Sequence, residues 1–595
     1  MIREHGFGPI RSIFELGRRF GLRPSANAAL SCYGAPSVTK ARGNVANKLN
    51  IMKYYTLNQV CTALHIAILG TVIQTLCLAA DGAVDPRGAA GNSGERTIIV
   101  SAVGAKLDSN VHRGGGTDQT ELIQGLLDRA PKLGSLRLIV DGPMLVRGLR
   151  IHSNTTIECL NRDCGFFLAD GSDQHIIRNA NQKASGRDDR NISFIGGTYN
   201  GNALKQKKTD PTLGWISAFS LHGVEQLLFR DVSITDMRTF AIHLSNWRRA
   251  VFENVYINLG QIPESSNQDG IHVQGPGEFL SMRNIQGRTW DDMIALNADD
   301  TNVDWDLNRK FVRNSVYGPY ASNGPITDVD IDGVQAEDCA QVIRLLSRES
   351  RIDRVSIRNV RGTYRTFGVW MSSFYREGGN FGRVELENID LRAAAPNAYE
   401  YLPPFLLYLA GKIEHVSVRN IINYLPIDDR PLVWIAPDAK IDYLGIRGLQ
   451  VFDQRLNYGN GPIIRADGDV RLLQIKDVVV QRPQGKAPAG ALLATGLPRE
   501  DIKKNLERRF VAGYIKKDSA RNTWGWPEAY GYLDRPGRIG QLIIEDIIAE
   551  RLAHIVDHQL GAIERLHVLN IVSNDVGHEV VRGPKAAIVQ TSGTH

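Results

Sequence analysis

Apolar and polar residues alternate through most of the chain, and the alternation repeatedly breaks at Asn, Asp or Gly before resuming on an aliphatic residue. The phrase reads ISFIGGT (192–198), LLFRDVSI (227–234), VFENVYI (251–257) and FLSMRNI (279–285). It returns as VDIDGV (329–334), VSIRNV (355–360), VELENI (384–389) and VSVRNI (416–421), then as LGIRGL, LQIKDV, IIEDI and HVLNI. The hinges are Gly196, Asp231, Asn254, Asn284, Gly333, Asn359, Asn388, Asn420, Gly448, Asp477, Asp546 and Asn570. Most lie 23 to 32 residues apart, with longer gaps at 196–231, 284–333 and 477–546. Period-two alternation predicts strands, and a hinge that tolerates left-handed φ predicts a turn between them.

One such unit cannot bury its own apolar face, whereas stacked units form a continuous column. A propeller blade would need about four strands in about 40–50 residues, more than this period holds. The pattern therefore predicts an all-β, single-stranded right-handed parallel β-helix, with hinge asparagines stacked as a ladder inside the coil. Ahead of the repeats, Asp118 and Glu121 have capping-box spacing, and Leu122, Leu126 and Leu127 share one helical face. An N-terminal capping helix is expected there, covering the open end of the solenoid. The stretch 498–540 breaks the rhythm and reads as a charged, aromatic excursion from one coil.

Composition changes the picture mainly at the N-terminus. The 595 residues carry a formal charge of +6, but residues 1–80 hold nine Lys/Arg against two Glu, a net of +7. The rest is left at −1, which argues against tracking nucleic-acid phosphates. Lys53 followed by the apolar run Ala63–Ala80 resembles a secretory signal peptide, with Met52 as the true start. A membrane anchor is the rival reading, diluted by His65, Thr71, Gln74 and Thr75. The expected organisation is a leader over 1–80 and a catalytic β-helix over 81–590, secreted or periplasmic, without stable membrane insertion. Past the leader only Cys159, Cys164 and Cys339 occur; the first two could pair, or all three could be buried thiols. No metal and no cofactor are expected from this composition.

The candidate chemistry sits on two rungs, SSNQDGIHVQG (265–275) and TWDDMIALNADD (289–300). Aligning Ile271 with Ile294 sets Asp269 beside Asp292 on coils about 4.8 Å apart, with Asp291 on the same lip. Three crowded carboxylates repel, so at least one should hold its proton. That is what inverting glycoside hydrolysis requires: one carboxyl donates to the leaving oxygen while carboxylates activate water. Asp269 and Asp292 share strand parity with Ile271 and Ile294, so they face outward only if the alternation resets at Gly270 and Met293. Asp299, Asp300, Asp304 and Asp306 read as solvated turn formers, a loop calcium site being the other possibility.

These motifs resemble the pectin-lyase-like superfamily, and within it the polygalacturonases of glycoside hydrolase family 28. GGGTDQTELIQGLLDRA is similar to the superfamily's DGxTDDTxAIQxAL opening; Asn267-Gln268-Asp269-Gly270 resembles the Asn-Thr-Asp-Gly motif, and Asp291-Asp292-Met293-Ile294-Ala295-Leu296 the Asp-Asp-Cys-Ile-Ala strand. The resemblance implies Asp291 as general acid, with Asp269 and Asp292 holding and activating the water. It departs in two places. No histidine lies between His272 and His415 to supply the Gly-His-Gly motif, and Arg344-Leu345-Leu346 stands where Arg-Ile-Lys is usual, placing Leu346 at the uronate-binding lysine.

Extending the register through Ile343 and Val369 gives an outward column of His243, His272, Ala295, Arg344 and Trp370. Imidazole, guanidinium and indole groups beside acids suit sugar binding. Asn267, Arg348 and Trp290 complete the expected substrate contacts, with Trp305, Phe374 and Tyr375 secondary. The expected partner is a polysaccharide or oligosaccharide. The alternatives are a β-helix polysaccharide lyase or uronate epimerase, for which a lysine near the trio is missing, and a non-catalytic glycan-binding adhesin.

Overall fold

Every one of the twelve hinges has a left-handed backbone, with φ between 53° and 84°. Asn and Asp tolerate that region because their short polar side chains hydrogen-bond locally, and Gly because it lacks Cβ. The strands between hinges stack in parallel, and among the described residues 27 strands join one continuous sheet, which a propeller's separate blades would not do. The fold is a parallel β-helix. The computed structural model describes residues 95–592 except 260–266, 301, 304–311, 314–316, 373–377, 395–404, 425–430, 453–460, 483–487, 497–536 and 575–577. The leader, most of the 498–540 excursion, and Asp304, Trp305, Asp306, Phe374 and Tyr375 lie outside the described residues. Among the described residues no helix is long and apolar enough to cross a membrane.

One apolar cluster runs from Val100 to Leu566 through the coil interior. The asparagine ladder lies elsewhere than expected. Asn284 Nδ2 donates to Asn254 Oδ1 at 2.8 Å, Asn388 to Asn359 at 3.0 Å and Asn420 to Asn388 at 3.0 Å, all at exposed positions. A left-handed hinge turns its side chain out of the column, so the ladder runs along the outer surface.

The N-terminal helix, α1 (Thr120–Leu127), is present, but Gln119 is its N-cap and Glu121 closes no capping box. Asp118 Oδ1 instead accepts from Thr120 N and Oγ1 at 2.9 and 2.6 Å. The buried face is Ile123, Leu126 and Leu127 rather than Leu122, and all three join the central cluster. Cys159, Cys164 and Cys339 are buried free thiols; burial pushes Cys159 up to about 12.

Six strands position the site: β1 (Phe219–Arg230), β2 (Ile242–Asn258), β3 (Ile271–Arg288), β4 (Asp292–Asn297), β5 (Ile326–Leu346) and β6 (Ile352–Ser372). Their register runs Phe219, Ile242, Ile271, Ile294, Ile343, Val369 across successive coils.

Candidate active site

The register column begins at a corner that breaks strand alternation. Ala241 and Ile242, Met293 and Ile294, and Val342 and Ile343 are all members of the central core, although neighbours on a regular strand face opposite ways. With both members of each pair inside, the residues before and after the pair face away from the core. This is the reset that Asp269 and Asp292 need. Phe240, Asp269, Asp292, Gln341 and Phe367 form one outward row, and His243, His272, Ala295, Arg344 and Trp370 the other. Gly270 permits the close stacking here: its N–H donates to Asp292 O at 2.8 Å, and a Cβ on it would sit 2.5 Å from Met293 O.

Asp269, Asp291 and Asp292 each place a carboxylate oxygen within 4.8 Å of the other two. Asp269 and Asp292 are buried, and Asp291 is the more accessible. Each already accepts hydrogen bonds. Asn267, held at φ 66°, donates its N–H to Asp291 Oδ2 at 2.8 Å. Arg344 Nη1 donates to Asp292 Oδ2 at 3.3 Å. Gln341, with its amide oriented by its partners, donates to Asp291 Oδ1 at 2.9 Å and Asp292 Oδ1 at 2.7 Å and accepts from Thr366 Oγ1. His272 Nδ1 lies 2.6 Å from Asp269 Oδ2.

Burial is the largest influence on all three acids and raises each of them. Asp269 and Asp292 stand well above the ordinary carboxylate value, pushed further by neighbouring acids and held back by Arg344. Asp291 is raised less, because the Asn267 N–H, Arg344, Lys208 and Arg365 all favour its charged form.

The expected sugar-binding column is in register but covered. His243 and His272 are buried, and desolvation lowers both to about 3, so they are neutral near pH 7. His243 Nε2 meets Gln274 Oε1 at 3.0 Å. Trp370 is 3% exposed and stacks on Phe367 within a cluster that includes Phe405, Tyr408 and Trp434. Arg344 lies over its ring at 4.8 Å. Trp290 is clamped between Arg365 and Arg288, at 4.2 and 5.3 Å from the ring centre. Arg348 belongs to a neighbouring turn, where its side chain pairs with Glu349 at 3.3 Å.

Several site groups differ from the sequence expectation. Asp299 does form a turn, accepting the N–H groups of Arg348, Glu349 and Ser350, but it is buried rather than solvated. Asp300 is also buried and accepts from Asn297 Nδ2 at 2.8 Å and from the Tyr317 hydroxyl. A lysine, thought absent, is present: Lys208 Nζ lies 3.2 Å from Asn267 Oδ1 and 5.6 Å from the Trp215 ring centre. Burial lowers its pKa, and Asp291 and Asp269 oppose that shift. Gln341 was findable, since it precedes Ile343 by two residues as Asp269 precedes Ile271. Lys208 and Tyr317 come from irregular segments that carry no register.

No protein-family model matches the chain, and no curated protein matches it. Among solved structures it is similar to the family 28 exopolygalacturonase of Yersinia enterocolitica, at 12% identity over 84% of this chain and 78% of that one, TM-score 0.41. The A-module of the Azotobacter vinelandii mannuronan C-5 epimerase AlgE6 is similar at 12% identity over 84% and 99%, TM-score 0.38. The Streptococcus pneumoniae surface adhesin PfbA is similar at 11% over 80% and 91%, TM-score 0.36. These are likenesses of fold and assign no activity to this chain.

Proposed function

We propose that the chain is a secreted glycoside hydrolase that cleaves a polysaccharide or oligosaccharide with inversion. The observation that carries this reading is the meeting of Asp269 and Asp292, on one outward row of the coil, with the adjacent Asp291 within 4.8 Å. Asp291, the most accessible of the three and raised by burial, is placed to give a proton to the leaving oxygen. Asp269 and Asp292 hold one water between them and take its proton as it attacks the anomeric carbon. Arg344 and Gln341, which donate to Asp292, favour the charged form of it that can take that proton.

The spacing is tighter than the roughly 6.5–9.5 Å of most inverting pairs and nearer the roughly 5–5.5 Å of retaining ones. Three acids relieve that difficulty, because the water can sit beside the pair instead of between acid and base. A second reading, a uronate lyase or epimerase, is favoured by Lys208, a cation of lowered pKa at the same lip.

The test is a glycan panel scored for new reducing ends, for absorbance near 235 nm, and for the anomer first formed. Reducing ends of inverted configuration, without unsaturated ends, are expected. Asp291→Asn should lose at least about 10²-fold in turnover while staying folded. Unsaturated ends would give the site to the lyase reading, and a retained anomer would make Asp269 or Asp292 a nucleophile. Binding without any turnover would leave a glycan adhesin. Secretion is tested separately by sequencing the N-terminus of the exported protein.

A further inference from the structure

The buried imidazole beside Asp269 has no ring nitrogen to spare for a sugar. Its Nδ1 faces Asp269 Oδ2 at 2.6 Å, and its Nε2 faces Asn297 Nδ2 at 3.4 Å and Asp300 Oδ2 at 4.0 Å. Phe240 stacks on one face with ring centres 4.3 Å apart, and Tyr317 stacks at 5.2 Å. The ring is 1% exposed. A group so enclosed acts on its neighbours and not on a ligand.

The proton on that ring is located by a chain of forced choices. Asp300 Oδ2 takes the Tyr317 hydroxyl and the Asn297 amide, so Asn297 must turn its nitrogen toward Asp300. The same nitrogen is the atom of Asn297 that meets His272 Nε2. Of the two groups facing Nε2, the Asn297 donor at 3.4 Å is within hydrogen-bond reach and the Asp300 oxygen at 4.0 Å is not. Nε2 is therefore the bare nitrogen, and the proton of the neutral ring is on Nδ1. Nδ1–H then points at Asp269 Oδ2, and that oxygen must accept.

We infer that His272 is a positioning residue that, fixed in its Nδ1–H form by Asn297 and Asp300, keeps Asp269 an acceptor and so makes it the water-activating base. The inference rests on the hydrolase reading for its consequence but not for its geometry. It reassigns His272 from substrate contact to support of Asp269. The charged and titratable groups facing this pair are Asp291, Asp292, Asp300, Arg344, Lys208, His243 and Tyr317.

The first test needs no substrate. In the full chain labelled with ¹⁵N-histidine, the His272 signals are identified by their loss in His272→Asn. A protonated Nδ1 and bare Nε2, unchanged between pH 5 and 9, are expected; a protonated Nε2 would overturn the inference. The second test uses the glycan that the chain cleaves. His272→Leu removes the donor, so the acidic limb of the kcat/KM profile should rise by about one pH unit or more. His272→Asn sets Nδ2 where Nδ1 was and should return the limb toward that of the native protein. An acidic limb unmoved in a folded His272→Leu variant would overturn the positioning role. If no glycan is cleaved at all, the hydrolase reading falls while the tautomer experiment still decides the dyad.

Discussion

Arg344 Nη1 donates to Asp292 Oδ2 across 3.3 Å, although the two residues stand 52 apart in the chain. Burial raises Asp292, and Arg344 is the strongest influence holding it down. Arg344→Ala should therefore leave an acid crowded by Asp269 and Asp291 with only the Gln341 amide to favour its ionised form. The expected outcome is a fall in kcat with the acidic limb moved to higher pH. Arg344→Lys should recover only part of the loss, because an ammonium lacks the planar fork and its stacking on Trp370. Steady-state kinetics across pH check this; a change confined to KM would make Arg344 a substrate contact instead.

Asp291 should weigh against stability at neutral pH. Its folded pKa is raised by burial, so the folded chain holds a proton there that the unfolded chain releases. That stabilisation is fully present below the unfolded pKa of about 3.9 and is lost as pH rises through the folded value. Asp291→Asn cannot ionise. Calorimetry should find the variant's Tm level with the native protein near pH 4 and above it at pH 8. A difference independent of pH would contradict the buried-charge account.

Gly270 sets how closely the acid-bearing coils approach. An added methyl would meet Met293 O at 2.5 Å, so Gly270→Ala must push β4 from the turn that carries Asp269. Activity should fall by about tenfold or more, in keeping with the sensitivity of catalysis to small misplacements. Gly125, in α1 with open space around it, is the control: Gly125→Ala should stabilise by about 0.5–1 kcal/mol and leave activity alone. Denaturant titration and rate measurement on both variants separate the two effects.

The outer asparagine ladder can be tested at Asn388, which donates to Asn359 and accepts from Asn420 at φ 57°. Asn388→Ala loses both bonds and puts an ordinary residue in the left-handed region, costing about 1–2 kcal/mol. Asn388→Gly should cost less because the backbone is unstrained. Urea unfolding of the two variants measures the gap.

The coil stacking was legible because alternation and hinge recur: counting ten residues on from Asn284, Gly333 and Asn359 reproduces the register of Ile294, Ile343 and Val369. The approach of Asp269, Asp291 and Asp292 followed from aligning Ile271 with Ile294 across two rungs of similar sequence. Other properties do not follow from spacing. Period-two reasoning sets Asp292 inward with Ile294, and only the paired corner of Met293 and Ile294 turns it out. Burial of His272 and Trp370 depends on what packs above them, which no register records. Lys208 and Tyr317 reach the site through segments whose length fits no repeat. Asn254 and Asn388 were correctly seen to stack, but the side they stack on depends on hinge geometry.

The doubled apolar corner separates two tasks that a plain strand confounds. Beneath it, Ile242, Ile271, Ile294 and Ile343 set the thickness and phase of the column. Beside it, the flanking positions hold Phe240, Asp269, Asp292 and Gln341, which contribute nothing to that filling. Reactive groups on this ledge can therefore be exchanged one coil at a time while the stack below keeps its shape. Deleting one member of a corner pair would turn that coil's carboxylate into the hydrocarbon.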